Sequence, residues 1–267
     1  MKVLIIYAHP ESNSFNGALK DRAVETLQSL GHEVIVSDLY RMGWKSQIDS
    51  DDIPGERVNN AVFVVHEEQE NMENTTGATL DVRKEQEKLV WCDVLIFQFP
   101  IWWFSMPAIL KGWVDRTFTR GFAYKAGKKY SAGMFKGKKA IICATTGTSG
   151  SLYMPDGIDG DINHILWPIH NGIFNYTGFD VLPPHMVWMP GNLSAPERQN
   201  ELAKWEERVR HLDNETPLYF HGREDFTPDQ RLRPDVVAKT GFQWNPTAGQ
   251  THEEAAQQYT NRLNNDK

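Results

Sequence analysis

Four runs along the chain are apolar almost throughout: VLIIYAH (3–9), EVIVSDLY (33–40), VLIFQFP (94–100) and AIICATTG (140–147). A strand with one wet face alternates apolar and polar residues. A continuous run is what a strand shows when helices cover both faces of a parallel sheet. A weaker fifth run, FDVLPPHMVW (179–188), contains Pro183 and Pro184, which cannot donate to a sheet ladder and so predict an edge or irregular strand. Helical spacing separates the runs. FNGALKDRAVETLQSL (15–30) places Leu19, Ala23, Leu27 and Leu30 on one stripe, and Gly31 stops it. TLDVRKEQEKLVWC (79–92) precedes the third run, and MPAILKGWVDRTFT (106–119) follows it with Pro107 in its expected first turn. APERQNELAKWEERVRHL (195–212) starts after Ser194, a good capping residue.

Strands alternating with helices predict an α/β fold, a doubly wound, five-stranded parallel sheet with helices on both faces. Two stretches break the rhythm. Residues 41–78 are polar and are expected to form a long irregular insertion. Residues 214–267 are rich in Pro, Gly, Asn and Gln, with one short helical pattern near 252–264. The expected organisation is therefore a catalytic domain over 1–213 and an irregular C-terminal extension over 214–267.

Composition narrows the function. The chain has 267 residues, 40% hydrophobic and 24% charged, enough for one ample core. A net charge of −7 argues against wholesale binding to nucleic acid or an anionic membrane, which needs a basic face. The two cysteines, Cys92 and Cys143, lie in or beside apolar runs and read as reduced core residues of a cytoplasmic protein. MKVLIIYAHP is too short for a secretory signal, and no apolar window approaches the ~18 residues of a membrane span. Nine tryptophans suggest flat apolar surfaces, either in the core or facing a planar ligand.

Candidate chemistry sits just after the strands, where ligands bind in open parallel sheets. After the first come His9, Asn13, Ser14, Phe15 and Asn16, at a helix start whose free amides favour an anion; simple N-capping also accounts for the residue types. After the third come Pro100, Ile101, Trp102, Trp103 and Phe104. Consecutive aromatics at a sheet's carboxyl edge want a flat ligand or a subunit interface. After the fourth comes TTGTSGSLY (145–153), where Gly147 and Gly150 let backbone approach a ligand, unless the segment is a plain flexible loop. Together the three describe a flavin pocket.

The motifs AH-x-E-x-x-SFN, FQFPIWWFSMPAILKGW, TTG-x-SGS-x-Y, G-I-x-GD-x-N and ILWPI resemble the NAD(P)H:quinone oxidoreductases of the DT-diaphorase type, and ETPLYF (215–220) is similar to that family's segment after the catalytic domain. The likeness runs from residue 3 to about 220 and is densest over 94–182. It implies a flavodoxin-like fold, FAD as cofactor, NADH or NADPH as co-substrate, a quinone acceptor and a homodimer. It places His9, Asn13, Ser14, Phe15 and Asn16 around the FAD pyrophosphate and ribityl chain. Pro100 to Phe104 fall beneath the isoalloxazine, and Thr145, Thr146, Gly147, Thr148 and Tyr153 at its other edge. Arg198 falls near the adenine. Tyr124 and Tyr176 line the substrate pocket with Trp103, Tyr124 being supplied across the dimer.

Four positions depart from the family pattern: Asp159 replaces a histidine, Ala126 a second tyrosine, Trp102 a glutamine and Thr148 a glycine. Tyr153 and Asp159 are the expected catalytic residues, although a carboxylate at 159 opposes rather than supports a second negative charge. FMN-dependent azo- or nitroreductases, a one-electron carrier, and a flavin-binding regulatory subunit of a potassium-efflux system are the alternatives. His164 and His170, six apart in an expected helix, lie on different faces and argue against a metal site.

Overall fold

The computed structural model describes residues 1–239. The expected helix near 252–264, and Phe242 and Trp244, lie outside the described residues. Five strand positions form one parallel sheet in the order β2-β1-β3-β4-β5, with β6 also paired to β4. The strands are β1 (Lys2–Tyr7), β2 (Glu33–Asp38), β3 (Val94–Pro100), β4 (Lys139–Thr146), β5 (Asp180–Val181) and β6 (His185–Trp188). The last two are one edge strand in two pieces, because Leu182, Pro183 and Pro184 interrupt the ladder, as the double proline predicts. Arg208 closes the break by donating to the carbonyls of Pro183 and Pro184 and to the Glu215 carboxylate.

Burial explains why the runs do not alternate. Val3 and Ile5 of β1 face one core with Leu19, Ala23 and Leu27 of α1 (Phe15–Ser29), and with Leu202, Trp205 and Val209 of α6 (Ala195–Val209). Leu4 and Ile6 face the opposite core, as do Leu95, Phe97 and Phe99 of β3. That second core is covered by α3 (Leu80–Trp91), α4 (Ala108–Thr117) and α5 (Ile162–Ile169). Leu30, expected on the α1 stripe, is instead exposed at the helix C-cap, where Gly31 takes φ +79°. Pro107 is the N-cap of α4, one residue earlier than expected, and Ser194 caps α6 reciprocally with Glu197. His170 begins a π-helical turn (His170–Asn175) after Pro168; its burial depresses the imidazole to about 4 and keeps it neutral. Among the described residues no three His, Cys, Asp or Glu side chains converge as metal ligands.

The insertion at 41–78 differs most from its expectation. It contains the helix α2 (Val65–Asn74) and buries Trp44, Ile53, Met72 and Ala78 in the second core. The hydrophobic pattern is silent because two of the three residues that α2 buries, Glu68 and Gln69, are polar. Glu68 is held by the Arg57 guanidinium at 3.0 Å and the Val58 amide at 3.0 Å. Arg116 of α4 pins the segment further. It bonds Asp52 at 2.7 Å and Asp81 at 2.6 Å, and lies 4.5 Å over the Trp44 ring.

The Arg116 side chain is 2% exposed and that of Asp52 6%, so removing the guanidinium leaves a buried carboxylate with only Lys45, at 3.3 Å, as a cationic partner among the described residues. Arg116→Ala is expected to lower unfolding free energy by about 3 kcal/mol, read as a shift in the urea midpoint, and to open residues 41–78 to limited proteolysis. A midpoint that barely moves would mean the insertion is anchored by its apolar contacts alone.

Candidate active site

The three strand-end loops meet through a buried polar chain. Gln98 of β3, 1% exposed, donates through Nε2 to Asn16 Oδ1 at 2.8 Å, and Asn16 Nδ2 donates to the Thr145 hydroxyl at the end of β4 at 2.7 Å. The Asn16 side chain is therefore spent inward, and only its backbone amide is left for a ligand. Ser14 caps α1 by accepting from the Gly17 amide at 3.1 Å. The amides of Phe15 and Asn16 have no hydrogen-bond partner among the described residues, as expected in the first turn of a helix. Gly17 is required here: a Cβ would lie 1.9 Å from the Ser12 carbonyl oxygen. His9 Nδ1 lies 3.0 Å from both the backbone amide and the carbonyl oxygen of Glu11, a contact that fits either ring tautomer.

These groups open into a cavity of about 510 Å³ that also takes in Pro100, Thr145 and Arg198. Its lining contains no carboxylate. Arg198 bonds the Leu193 carbonyl at 2.6 Å and has no acidic partner among the described residues. Free first-turn amides, an imidazole, a helix N-terminus and a guanidinium with no acidic partner among the described residues suit a phosphate-bearing group. Asn13 lies in the same wall, its amide accepted by the Glu11 carboxylate at 2.8 Å.

Trp102 to Ser105 form a two-residue turn closed at both ends. Trp102 N donates to Ser105 O at 3.0 Å, and Ser105 N donates to Trp102 O at 3.1 Å. The central residues, Trp103 and Phe104, both have positive φ (51° and 58°). This is the geometry glycine and asparagine prefer, and bulky residues there carry strain. Trp103 is 95% exposed, and Phe104 sits 6.4 Å from the Tyr153 ring. Trp102 reaches back to His9 at 6.3 Å, and the Ile101 amide donates to Thr145 O at 2.8 Å.

On the far side, Tyr153 is buried, stacked on Trp188 at 5.3 Å and 24°. Its hydroxyl oxygen accepts from the Thr148 hydroxyl at 3.2 Å, and the Thr146 hydroxyl donates to Thr148 O at 2.7 Å. The Asp159 carboxylate makes no hydrogen bond to Tyr153 among the described residues; the Asp159 backbone N–H donates to Leu152 O at 3.0 Å. The two glycines serve different ends. A Cβ on Gly147 would meet nothing within 4 Å, whereas one on Gly150 would strike the Trp188 ring at 2.9 Å, so Gly150 packs rather than opens the loop.

Tyr124 and Tyr176 do not line the phosphate-suited cavity. They face each other at 5.6 Å in a separate groove of about 600 Å³ that reaches Ser105 and Met106, the residues following the aromatic turn. Burial pushes the Tyr124 phenol above its usual value, with Tyr176 adding to the rise, so it is a proton donor at neutral pH. Two further members of this cluster escape sequence reasoning: Tyr130, edge-on to Tyr176 at 5.3 Å, and Lys129, 5.1 Å over the Tyr176 ring. The YxxxxxY spacing of Tyr124 and Tyr130 is the one available signal, and it matches no regular element because Tyr130 is left-handed (φ 54°).

Comparison with known proteins follows the same lines. A family model described as a flavodoxin-like fold matches residues 1–211. The chain is 45% identical over 219 residues to NAD(P)H dehydrogenase [quinone] 1 of Cavia porcellus, covering 82% of this chain and 80% of that one. It is 42% identical over 218 residues to ribosyldihydronicotinamide dehydrogenase [quinone] of Mus musculus, covering 82% and 94%. A crystal structure from Klebsiella pneumoniae, provisionally called a quinone reductase, superposes with a TM-score of 0.86 at 41% identity, covering 90% of this chain and 96% of that one.

Two substitutions separate fold from ligand at this site. Gly147→Val should leave stability within about 0.5 kcal/mol yet weaken binding of added flavin about tenfold or more, read by fluorescence quenching; unimpaired binding would place the ring elsewhere. Trp103→Gly loses no packing and relieves one left-handed residue, so it should raise stability by about 1 kcal/mol while loosening flavin retention. A destabilised variant would show that the turn is not strained.

Proposed function

The chain belongs to the flavodoxin-like NAD(P)H dehydrogenase (quinone) family, and from that premise we propose that it holds FAD and reduces quinones with NADH or NADPH. The observation that carries the reading is the juxtaposition, at three strand ends, of a carboxylate-free anion cavity, an exposed aromatic turn and an open glycine edge. When bound, the flavin supplies two-electron transfer from the nicotinamide nucleotide to the acceptor, the two substrates using one pocket in turn.

The residues divide the work. His9, the hydroxyl-capped turn of Asn13 and Ser14, and the Phe15 and Asn16 amides are assigned to the pyrophosphate. Arg198, at the far wall of the same cavity, is assigned to the adenosine half, which is what favours FAD over FMN. Pro100, Ile101, Trp102, Trp103 and Phe104 form one apolar wall for the ring system. Thr145, Thr146, Gly147, Thr148 and Tyr153 form its polar edge, where backbone amides and the Tyr153 hydroxyl meet developing negative charge. The Tyr153 ring is stacked on Trp188 and lies 6.4 Å from Phe104. Asp159 is assigned to Tyr153 only through the loop that carries both, since no bond joins them directly.

A homodimer fits the surfaces left open. The Tyr124–Tyr176 groove is lined by Val65, Met106, Ile169 and Ile173, and Trp103 stands nearly bare. A second copy covering both supports the assignment of Tyr124, Tyr176 and Trp103 to a shared quinone pocket. Among the described residues no helix is long and apolar enough to cross a membrane. Cys92 and Cys143 are free and buried, burial raising Cys92 to about 11, in keeping with a reducing cytoplasm.

The purified protein should be yellow, bleach on anaerobic addition of NADPH, and recover its absorbance with a quinone; heat release should yield FAD. A protein that stays colourless after added flavin would end the enzyme reading, and released FMN would overturn only the assignment of Arg198.

A further inference from the structure

Tyr153 stands at the polar edge with a ring that cannot turn freely. Trp188 stacks on it at 5.3 Å, and the Phe104 ring lies 6.4 Å away, tilted by 56°. Gly150 meets Trp188 so closely that a Cβ would overlap it, so the loop packs directly on the indole. What the rings do not fix is the direction of the phenolic O–H, which rotates about the C–O bond to suit its partners. Among the described residues one hydrogen bond addresses that oxygen, and it comes from Thr148 Oγ1 at 3.2 Å. Thr148 is itself held, because its carbonyl accepts from the Thr146 hydroxyl at 2.7 Å and Thr146 belongs to β4.

We propose that Thr148 is a positioning residue for Tyr153: by donating to the phenol oxygen it makes Tyr153 the donor toward the flavin edge and the substrates. With the lone pair occupied by Thr148, the Tyr153 proton has no competing acceptor on the Thr148 side. A donor to the same oxygen also favours negative charge on it as the proton is drawn away. Asp159 does not take this part in the observed arrangement, since a carboxylate only accepts and no hydrogen bond joins it to the Tyr153 hydroxyl among the described residues. The inference rests on the quinone reductase reading for what Tyr153 faces, and on the structure alone for what holds Tyr153.

The test compares Thr148→Val, which keeps shape and loses the donor, with Thr148→Ser, which keeps the donor. In the flavin-loaded protein, Thr148→Val should slow flavin reduction by NADPH about threefold to tenfold, the span of one lost neutral hydrogen bond. The same loss should lower the two-electron midpoint potential by about 15–30 mV, at about 30 mV per tenfold. KM for NADPH and flavin content should stay within twofold, and Thr148→Ser should restore both rate and potential. If Val disturbs folding, Thr148→Ala against Thr148→Ser gives the same contrast. A potential and rate indifferent to the donor, or a Ser variant that behaves like Val, would overturn the positioning role while leaving the enzyme reading intact. A wild-type protein that takes up no flavin would sink both.

Discussion

Everything at the strand ends depends on two buried hydrogen bonds, Gln98 to Asn16 and Asn16 to Thr145. The three side chains come from β3, the start of α1 and the end of β4, and all are nearly inaccessible to water. A buried amide left unmatched costs about 1–3 kcal/mol, so each partner fixes the other two in register. The consequence for the site is geometric. The first helical turn presents its free amides at one height relative to the aromatic turn, because Asn16 is tied to the same Thr145 whose carbonyl receives the Ile101 amide. The ends of β3 and β4 and the start of α1 are thereby tied together through one buried chain of side chains.

That anchoring lets the aromatic turn carry strain. Two consecutive bulky residues in the left-handed region persist only where their surroundings over-determine them. Here the pair of bonds between Trp102 and Ser105 closes the turn, and Ile101 and His9 anchor its base. The reward is a large ring held 95% exposed on a fixed stalk. A sequence selected for stability alone would place glycine or asparagine there. The local rule is broken at the position where the functional reading needs a flat apolar wall, which is where such violations are expected.

The sheet was legible because both of its faces are apolar, and the strand-end turns because ligand sites in such sheets have a fixed place. Boundaries of β3 coincide with the apolar run, and even the broken edge strand follows from Pro183 and Pro184. The insertion was not legible, since its buried apolar residues are scattered without helical spacing and its helix turns mostly polar residues inward, with Glu68 held by Arg57 and Asp52 by Arg116. Periodicity cannot report a helix whose buried residues are polar. Gln98 offered a usable signal that composition obscures: one amide in an otherwise apolar central strand must find a partner. Gly150 was misread for the opposite reason, because a glycine that admits a ligand and one that admits an indole look the same in sequence. Thr148 and Asp159 both stood out as departures from the family pattern, but only the coordinates show which of them touches Tyr153.

The distribution of charge completes the picture. With 35 acidic and 28 basic side chains, the chain as a whole repels anions, yet its phosphate-suited cavity has no carboxylate in its wall. The acidic groups nearest the core are committed elsewhere: Asp52 and Asp81 to Arg116, Glu68 to Arg57, Glu85 to Lys88 and the Trp113 indole. Glu197, next to Arg198 in sequence, is turned back to cap Ser194. Among the described residues Arg198 alone of these cations has no acidic partner, so one guanidinium and a helix terminus lead the local field at the cavity. Fields of that kind act over a few ångströms at physiological salt, and the surplus negative charge beyond a Debye length of about 8 Å contributes little. An acidic net charge is therefore compatible with an anion-binding cavity, because the net charge and the local field act at different distances.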